Sequence, residues 1–251
     1  MVSVQQVYDT LKDLANKDQK GFITPAVFNN FAGVAQINIY NELFQELVKA
    51  KQIQRQNFDP GRDKSVRKQA TEDLSVFIVS DLELESSDGI FFKPANLSKI
   101  ISISSTDKDR DEIEYTSSTS RYNRKEVELV YDAEKIDRIL TSNLSTPTED
   151  FPVALIAQDI EVFPSTISDI RVTYYRRPGS INQAGDTIDL PPTYASVLLG
   201  GSEQFNANSS LNFMLPPHYT TELVMEMAKL IGVRLRDPNL AGFAAQEEAS
   251  E

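Results

Sequence analysis

The segment Gly21–Asn41 contains no charged residue, although a quarter of the whole chain is charged. Apolar residues recur within and beyond this segment at steps of three and four, the period of one helix face. They are Phe28, Phe31, Ala32, Ala35, Ile39, Leu43 and Leu47, and a second set faces elsewhere: Val27, Val34, Ile37, Phe44 and Val48. A helix that is apolar over most of its circumference is usually buried. The sequence therefore predicts a central helix that its surroundings enclose.

The polar residues of this helix are amides rather than charges: Asn29, Asn30, Gln36, Asn38 and Asn41. An amide can be hydrogen-bonded in a crowded contact without the desolvation cost of a charge. We therefore expect the helix to be covered by its own domain on one side and by a neighbouring subunit on the other. The predicted oligomer interface comprises Phe28, Phe31, Ala35, Ile37, Asn38, Asn41 and Phe44. On this hypothesis, Ala35→Glu abolishes assembly while sparing the β-rich domain predicted below.

The remaining patterns predict an α+β protein. A first helix over Val4–Ala15 and the central helix, which begins at Thr24-Pro25 and runs to about Gln56, form a predicted helical hairpin. A short helix is predicted at Arg62–Lys68, another at Lys135–Leu144, and a last helix from His218 to Arg236. Segments rich in β-branched residues predict strands: Ser75–Ser80, Leu97–Ser105, Val127–Tyr131, Phe151–Gln158, Ile160–Phe163 and Ile170–Tyr175.

These elements predict four parts of the chain. The N-terminal helical hairpin and its linker occupy 1–73, and a β-rich middle domain occupies 74–190. An irregular loop and a C-terminal helix, which packs with the N-terminal helices into a helical body, occupy 191–237. Residues 238–251 form a flexible acidic tail.

The overall composition excludes several classes of protein. The absence of cysteine rules out disulfides and thiolate metal sites. The net charge of −12 disfavours sequence-independent binding of nucleic acid, which needs basic patches. No stretch has the length and apolar character of a membrane helix, and the N-terminus lacks the features of a signal peptide. We therefore expect no membrane segment and synthesis in a cytoplasm.

One acidic segment partly matches a calcium-binding loop. Asp107, Asp109 and Asp111 alternate as calcium ligands do, but such a loop needs glycine at its sixth position and glutamate at its twelfth. Here these positions hold Glu112 and Ser118. A second fragment, at residues 16–27, lacks the terminal carboxylate. We interpret the first as a charged hairpin tip and the second as an interhelical turn, so no metal site is predicted.

The chain has no combination of residues that matches a known catalytic motif. His218 is the only histidine, and neither a nucleophile elbow nor a phosphate-binding loop accompanies it. The predictions are therefore no enzymatic activity, no catalytic residues and no cofactor.

The densest basic and aromatic cluster is Arg171, Tyr174, Tyr175, Arg176 and Arg177. Such residues could bind phosphate or nucleic acid. Strand alternation more simply places Val172 and Tyr174 on one face and Arg171, Thr173 and Tyr175 on the other. We favour an exposed strand end or an intersubunit ion-pair site.

Several short motifs follow one another in a fixed order along the chain. They are Leu14-Ala15-Asn16-Lys17, Gly21-Phe22-Ile23-Thr24-Pro25, Phe28-Asn29, Ala35-Gln36, Val172-Thr173-Tyr174-Tyr175-Arg176-Arg177-Pro178, Leu211-Asn212-Phe213-Met214-Leu215-Pro216, Tyr219, Glu222-Leu223-Val224 and Leu230-Ile231-Gly232-Val233-Arg234-Leu235-Arg236-Asp237. They span most of the chain, and their order is more specific than any one of them. In this order they resemble structural proteins of the crAss-like short-tailed bacteriophages.

The resemblance implies a ring-shaped head–tail connector, or adaptor, in the neck of a virion. Such a protein forms a ring, commonly twelve-fold, beneath the portal protein and next to other neck or tail rings. It bridges capsid and tail and lines a passage through which genomic DNA moves without specific binding. The expected location is the virion, after assembly in the host cytoplasm.

Two alternatives remain open at the level of sequence. The first is another structural component of the virion, a tail or head-decorating protein. The second is a binding module for a glycan or small ligand that uses the predicted loop Gly200–Ser210.

Overall fold

The computed structural model describes residues 1–17, 23–56, 63–86, 89–106, 124–200 and 202–235. The described residues form five α-helices and thirteen strands, which confirms the α+β class. The chain divides into two compact units, the first comprising Met1–Phe77 with Pro178–Glu251 and the second comprising Ile78–Arg177. Among the helices of the described residues, none combines the length and apolar character needed to cross a bilayer.

Five α-helices are described, and local signals in the sequence predicted where the first two begin. They are α1 (Val4–Lys17), α2 (Pro25–Gln56), α3 (Asp63–Leu74), α4 (Ala133–Thr141) and α5 (Thr220–Leu235). The Thr24 hydroxyl accepts the Val27 N–H at 3.3 Å at the start of α2, which is the expected N-cap. The predicted strand at Ser75–Ser80 instead begins with a 3-10 turn, Ser75–Phe77, because α3 is longer than expected.

The strands follow the β-branched segments of the sequence. They are β1 (Ile78–Glu85), β2 (Ile90–Phe91), β3 (Leu97–Thr106), β4 (Arg124–Glu126), β5 (Glu128–Val130), β6 (Val153–Ile156), β7 (Ile160–Phe163), β8 (Asp169–Arg176), β9 (Ser180–Ile181), β10 (Thr187–Ile188), β11 (Ser196–Leu199), β12 (Ser202–Phe205) and β13 (Asn212–Phe213).

The first unit contains α2 in contact with α3 and α5, and α1 in contact with α5. Its core includes Tyr8, Phe28 and Phe213, each of which is at most 1% exposed. The Phe28 ring meets the Tyr8 ring edge-on at 5.3 Å and the Phe213 ring at 6.4 Å. The aromatic residues of α1, α2 and β13 thus share one core.

The boundary of the β-rich domain differs from the predicted 74–190. The second unit ends at Arg177, and residues 178–190 lie in the first unit. The reason is strand pairing, because β9 pairs with both β10 and β13. The predicted irregular loop after residue 190 contains the β11–β12 hairpin and β13. The predicted tail, 238–251, lies outside the described residues.

The second unit consists of two four-stranded sheets, ordered β1-β8-β3-β4 and β2-β7-β6-β5. The chain passes from the first sheet to the second at Val127, whose N–H donates to the Ile103 carbonyl at 3.0 Å. One apolar cluster draws on both sheets, with Ile103, Ala154, Ile160, Ile170 and Val172 fully or almost fully buried. Helix α4 connects the parallel strands β5 and β6.

Candidate functional site

The predicted interface residues separate into buried and exposed groups. Phe28 and Ala35 are 0% exposed and Phe44 is 6% exposed, so these three belong to the core of their own chain. This corrects the sequence-based assignment. Periodicity identifies which residues of a helix are covered, but it does not distinguish a subunit's own core from a neighbouring subunit.

The remaining predicted residues lie at or near the surface. Phe31 is half-buried, whereas Asn38 and Asn41 are exposed and Ile37 is 46% exposed. The substitution Ala35→Glu is therefore not a test of assembly. It would place a charge in the core of the first unit, where an unpaired charge is strongly destabilising.

Two of the α2 amides hydrogen-bond to the main chain of the same molecule. The Asn29 side chain donates to the Tyr194 carbonyl at 3.0 Å and accepts the Tyr194 N–H at 2.8 Å. Gln36, which is 1% exposed, donates to the Gly179 carbonyl at 2.6 Å and accepts the Met214 N–H at 2.8 Å. These amides thus join α2 to the segments around β9, β11 and β13 rather than to another subunit.

One exposed face of α2 is uncharged, and we call it the outer stripe; the exposed Glu42, Glu46 and Lys49 of the same helix border it. It comprises Asn30, Val34, Ile37, Asn38, Asn41, Gln45 and Val48, all of them exposed. Three of its members are apolar, with Val34 45%, Ile37 46% and Val48 49% exposed. The spacing by three and four residues keeps the stripe on one helix face. One of its amides, Asn38, donates to Glu226 on α5 at 2.5 Å.

The second apolar feature of the first unit is the β11–β12 hairpin, which we call the arm. It has four cross-strand pairs, from Ser196 opposite Phe205 to Leu199 opposite Ser202. Leu198 is 76% exposed and Val197 is 42% exposed. Among the described residues, no strand pairs with the outer edge of either β11 or β12. The arm thus carries exposed apolar side chains and two open main-chain edges.

The base of the arm is held firmly. The Phe205 ring lies 5.3 Å from the Tyr194 ring, which stacks on the Tyr8 ring at 4.0 Å. The Ser210 hydroxyl accepts the Ala195 N–H at 3.0 Å and donates to the Asn206 carbonyl at 2.7 Å. Burial, followed by the charge of Glu203, raises the pKa of Tyr8 to about 12, so this ring stays neutral.

A shallow cavity of about 270 Å³ lies beside the arm. Its lining combines amides with apolar groups: Val197, Gln204, Phe205, Asn206, Ala207 and Asn208. Ligand pockets for small molecules are typically about 300–1,000 Å³ and largely enclosed. The cavity is thus slightly smaller than that range.

The single histidine lies in a polar cluster that joins two helices. Asp73, near the end of α3, accepts the Tyr219 hydroxyl at 2.9 Å, and its other oxygen lies 3.1 Å from His218 Nε2. Burial, together with this hydrogen bond, raises the pKa of the Tyr219 hydroxyl. The arrangement fixes the start of α5 against the end of α3, which is a structural role.

The basic and aromatic residues of β8 do not form one surface cluster. Val172 and Tyr174 are buried, as strand alternation predicts, and the Tyr174 hydroxyl donates to Asn96 at 2.8 Å. Arg171 pairs with Glu83 at 3.2 Å, whereas Arg176 is only 9% exposed. The structure does not bring these arginines together as a phosphate site.

The two calcium-like fragments lie largely outside the described residues, since 18–22 and 107–123 are not among them. Within the described part of the chain, no three aspartate, glutamate, histidine or cysteine side chains are grouped as metal ligands would be. Neither the protein-family models nor the curated proteins include a match to this chain.

Proposed function

We propose that this chain is a non-enzymatic structural protein of a virion, a ring-forming head–tail connector of the crAss-like short-tailed bacteriophages. Its partners are further copies of itself, in a ring that is commonly twelve-fold in the family, the portal protein above it and the adjacent neck or tail rings. The helical hairpin of α1 and α2 and the C-terminal helix α5 form the helical body of each subunit. The ring lines a passage for genomic DNA, to which the acidic chain does not bind.

The outer stripe of α2 is the observation that carries the proposal. A chain of net charge −12 repels its own copies, so an uncharged surface favours contact between copies because it adds no like-charge repulsion. The outer stripe provides one, about 27 Å long at about 1.5 Å per residue. Burial of the exposed half of each apolar side chain contributes on the order of 1 kcal/mol. In a closed ring every subunit gains this contribution.

The test is a pair of matched lysine substitutions in the first unit. Ile37→Lys places a charge at the middle of the outer stripe, and Gln69→Lys places the same charge on the exposed surface of α3. Because both positions are exposed, both variants should keep the thermal stability of the parent protein. The proposal predicts that only Ile37→Lys prevents ring assembly, measured by native mass spectrometry with and without the portal protein. Normal rings from Ile37→Lys would show that the outer stripe is not an interface.

The alternative place in the virion is a tail or head-decorating protein. Labelling of intact virions separates the two proposals. A label confined to the neck supports the connector, and a label spread over the capsid or along the tail supports the alternative.

A second candidate function is the binding of a glycan or small ligand in the cavity beside the arm. The observation that favours it is the lining of amides and one aromatic ring, groups that can bind sugar hydroxyls and apolar sugar faces. A glycan array together with a thermal-shift screen tests it. A specific ligand that is lost in Gln204→Ala would support this function.

A further inference from the structure

We infer that the arm of one subunit docks on the outer stripe of the next copy of this chain. The contact is heterologous, that is, it joins two different surfaces, and it rests on the ring-forming function proposed above. In this contact, the exposed tip of the arm around Leu198 packs against the α2 face around Ile37 of a second copy. A ring can close through this contact alone, because each copy uses its arm on one neighbour and its outer stripe on the other.

Symmetry is the first argument for two different surfaces. A contact between two identical outer stripes is isologous and closes at two copies, whereas a ring of more copies needs each subunit to offer two different surfaces. The outer stripe is one of them. The arm, with its exposed apolar side chains, belongs to the same compact unit as the outer stripe, so one folded unit carries both surfaces.

The charges of the two surfaces are compatible. The outer stripe has no charged residue, and the arm, residues 196–205, has only Glu203. That carboxylate accepts the Ser196 hydroxyl at 2.7 Å within the arm. The residues of the arm and the stripe thus bring a single carboxylate to the contact, although the exposed Glu42 and Glu46, together with Lys49, border the stripe.

Hydrogen bonding is the third argument. The arm offers N–H and C=O groups along two open edges, and the outer stripe offers four amide side chains, Asn30, Asn38, Asn41 and Gln45. The same chemistry already operates within the subunit, where Asn29 of α2 binds both main-chain groups of Tyr194, just before the arm. The outer stripe repeats the amide pattern on the opposite side of the helix, where one of the four amides, Asn38, already donates to Glu226 of the same chain.

Size is consistent with this docking. Four residues of strand extend about 13 Å at about 3.3 Å per residue, and the outer stripe is about twice as long. A two-stranded hairpin is only marginally stable by itself. The firm base described above holds the arm in place, while its apolar tip remains free to contact another molecule.

The absence of cysteine from the chain permits a clean cross-linking test. We would prepare Leu198→Cys and Ile37→Cys as separate proteins and treat each alone, and their equimolar mixture, with a short bis-maleimide. The control is Leu144→Cys, which is 99% exposed and lies in the second unit. The inference predicts a covalent dimer in the mixture, at least ten times more abundant than in either protein alone or in the Leu144→Cys mixture with Ile37→Cys. Dimers from Ile37→Cys alone, or no excess over the control, would overturn it.

Charge variants give an independent readout. Leu198→Lys and Ile37→Lys should each be monomeric alone, whereas their mixture should form a one-to-one dimer and nothing larger. That dimer arises because the intact arm of the Ile37→Lys protein can still dock on the intact stripe of the Leu198→Lys protein. A mixture that stays monomeric, or a Leu198→Lys protein that assembles normally, would contradict the arm–stripe contact.

The two proposals fail in different ways. Rings of the parent protein without an arm–stripe cross-link would reject the contact and leave the connector proposal standing. A parent protein that stays monomeric at all concentrations and with the portal protein would reject the ring itself.

Discussion

The buried amide of Gln36 should be essential for the stability of the first unit. Gln36→Leu keeps a side chain of similar size but leaves the Met214 N–H and the Gly179 carbonyl without their partner. Gly179 is buried and Met214 is 1% exposed, so water does not replace the lost hydrogen bonds. Each unsatisfied buried group costs about 1–3 kcal/mol. Since leucine regains some apolar burial, we expect a net loss of about 2–4 kcal/mol in the free energy of unfolding.

The assay for Gln36→Leu is denaturant unfolding followed by far-ultraviolet circular dichroism. This signal reports mainly on the first unit, because four of the five described α-helices belong to it. A loss of about 3 kcal/mol corresponds to a decrease in Tm of roughly 6–12 °C. The matched control is Gln69→Leu on the exposed surface of α3, which should change the free energy by less than about 0.5 kcal/mol. Equal stability of the two variants would refute the role assigned to Gln36.

Three further predictions concern stability. Asp73→Ala should lower the free energy of unfolding by about 1–3 kcal/mol because the Tyr219 hydroxyl loses its acceptor. His218→Ala should lower it by less than half as much, since that side chain is 53% exposed. Equal losses for the two variants in chemical unfolding would contradict this. The pKa of Tyr8 is raised from 10.0 to about 12. The neutral hydroxyl's contribution to the free energy of unfolding is therefore complete below pH 10.0 and is lost as the pH rises towards 12. Tyr8→Phe should make Tm fall less steeply over that pH range, and an unchanged slope would contradict the raised pKa. Asp81 has a left-handed φ of 58°, a conformation that is costly for a β-branched residue. Asp81→Val should therefore destabilise the second unit by about 1–2 kcal/mol more than Asp81→Asn, measured by calorimetry. Equal losses for the two variants would contradict this prediction.

Local signals in the sequence predicted much of the secondary structure. Thr24-Pro25 predicts the start of α2 because the cap and the proline act within one turn, and Ile160–Phe163 was predicted with the bounds that β7 has. The alternation of buried and half-buried residues along β8 was also predictable, because the side-chain period of a strand depends on nothing beyond the strand.

Long-range contacts account for what the sequence did not predict. Phe28, Ala35 and Phe44 were placed at a subunit interface, but they are covered by elements of the same chain. Gln36 was predicted only as one of the uncharged amides of α2, and its partners lie more than a hundred residues away in sequence. The arm was treated as part of an irregular loop because its strands are only four residues each. Periodicity and local signals do not show which distant segment covers which helix face.

The most direct test of the central claim is the mass of the purified parent protein, alone and mixed with its portal protein, measured by native mass spectrometry. The account predicts one closed species whose mass is an integer multiple of the subunit mass, either without the portal protein or induced by it. Ring-shaped class averages of the same sample in the electron microscope should show the matching rotational symmetry. A protein that remains a monomer under both conditions would contradict the account.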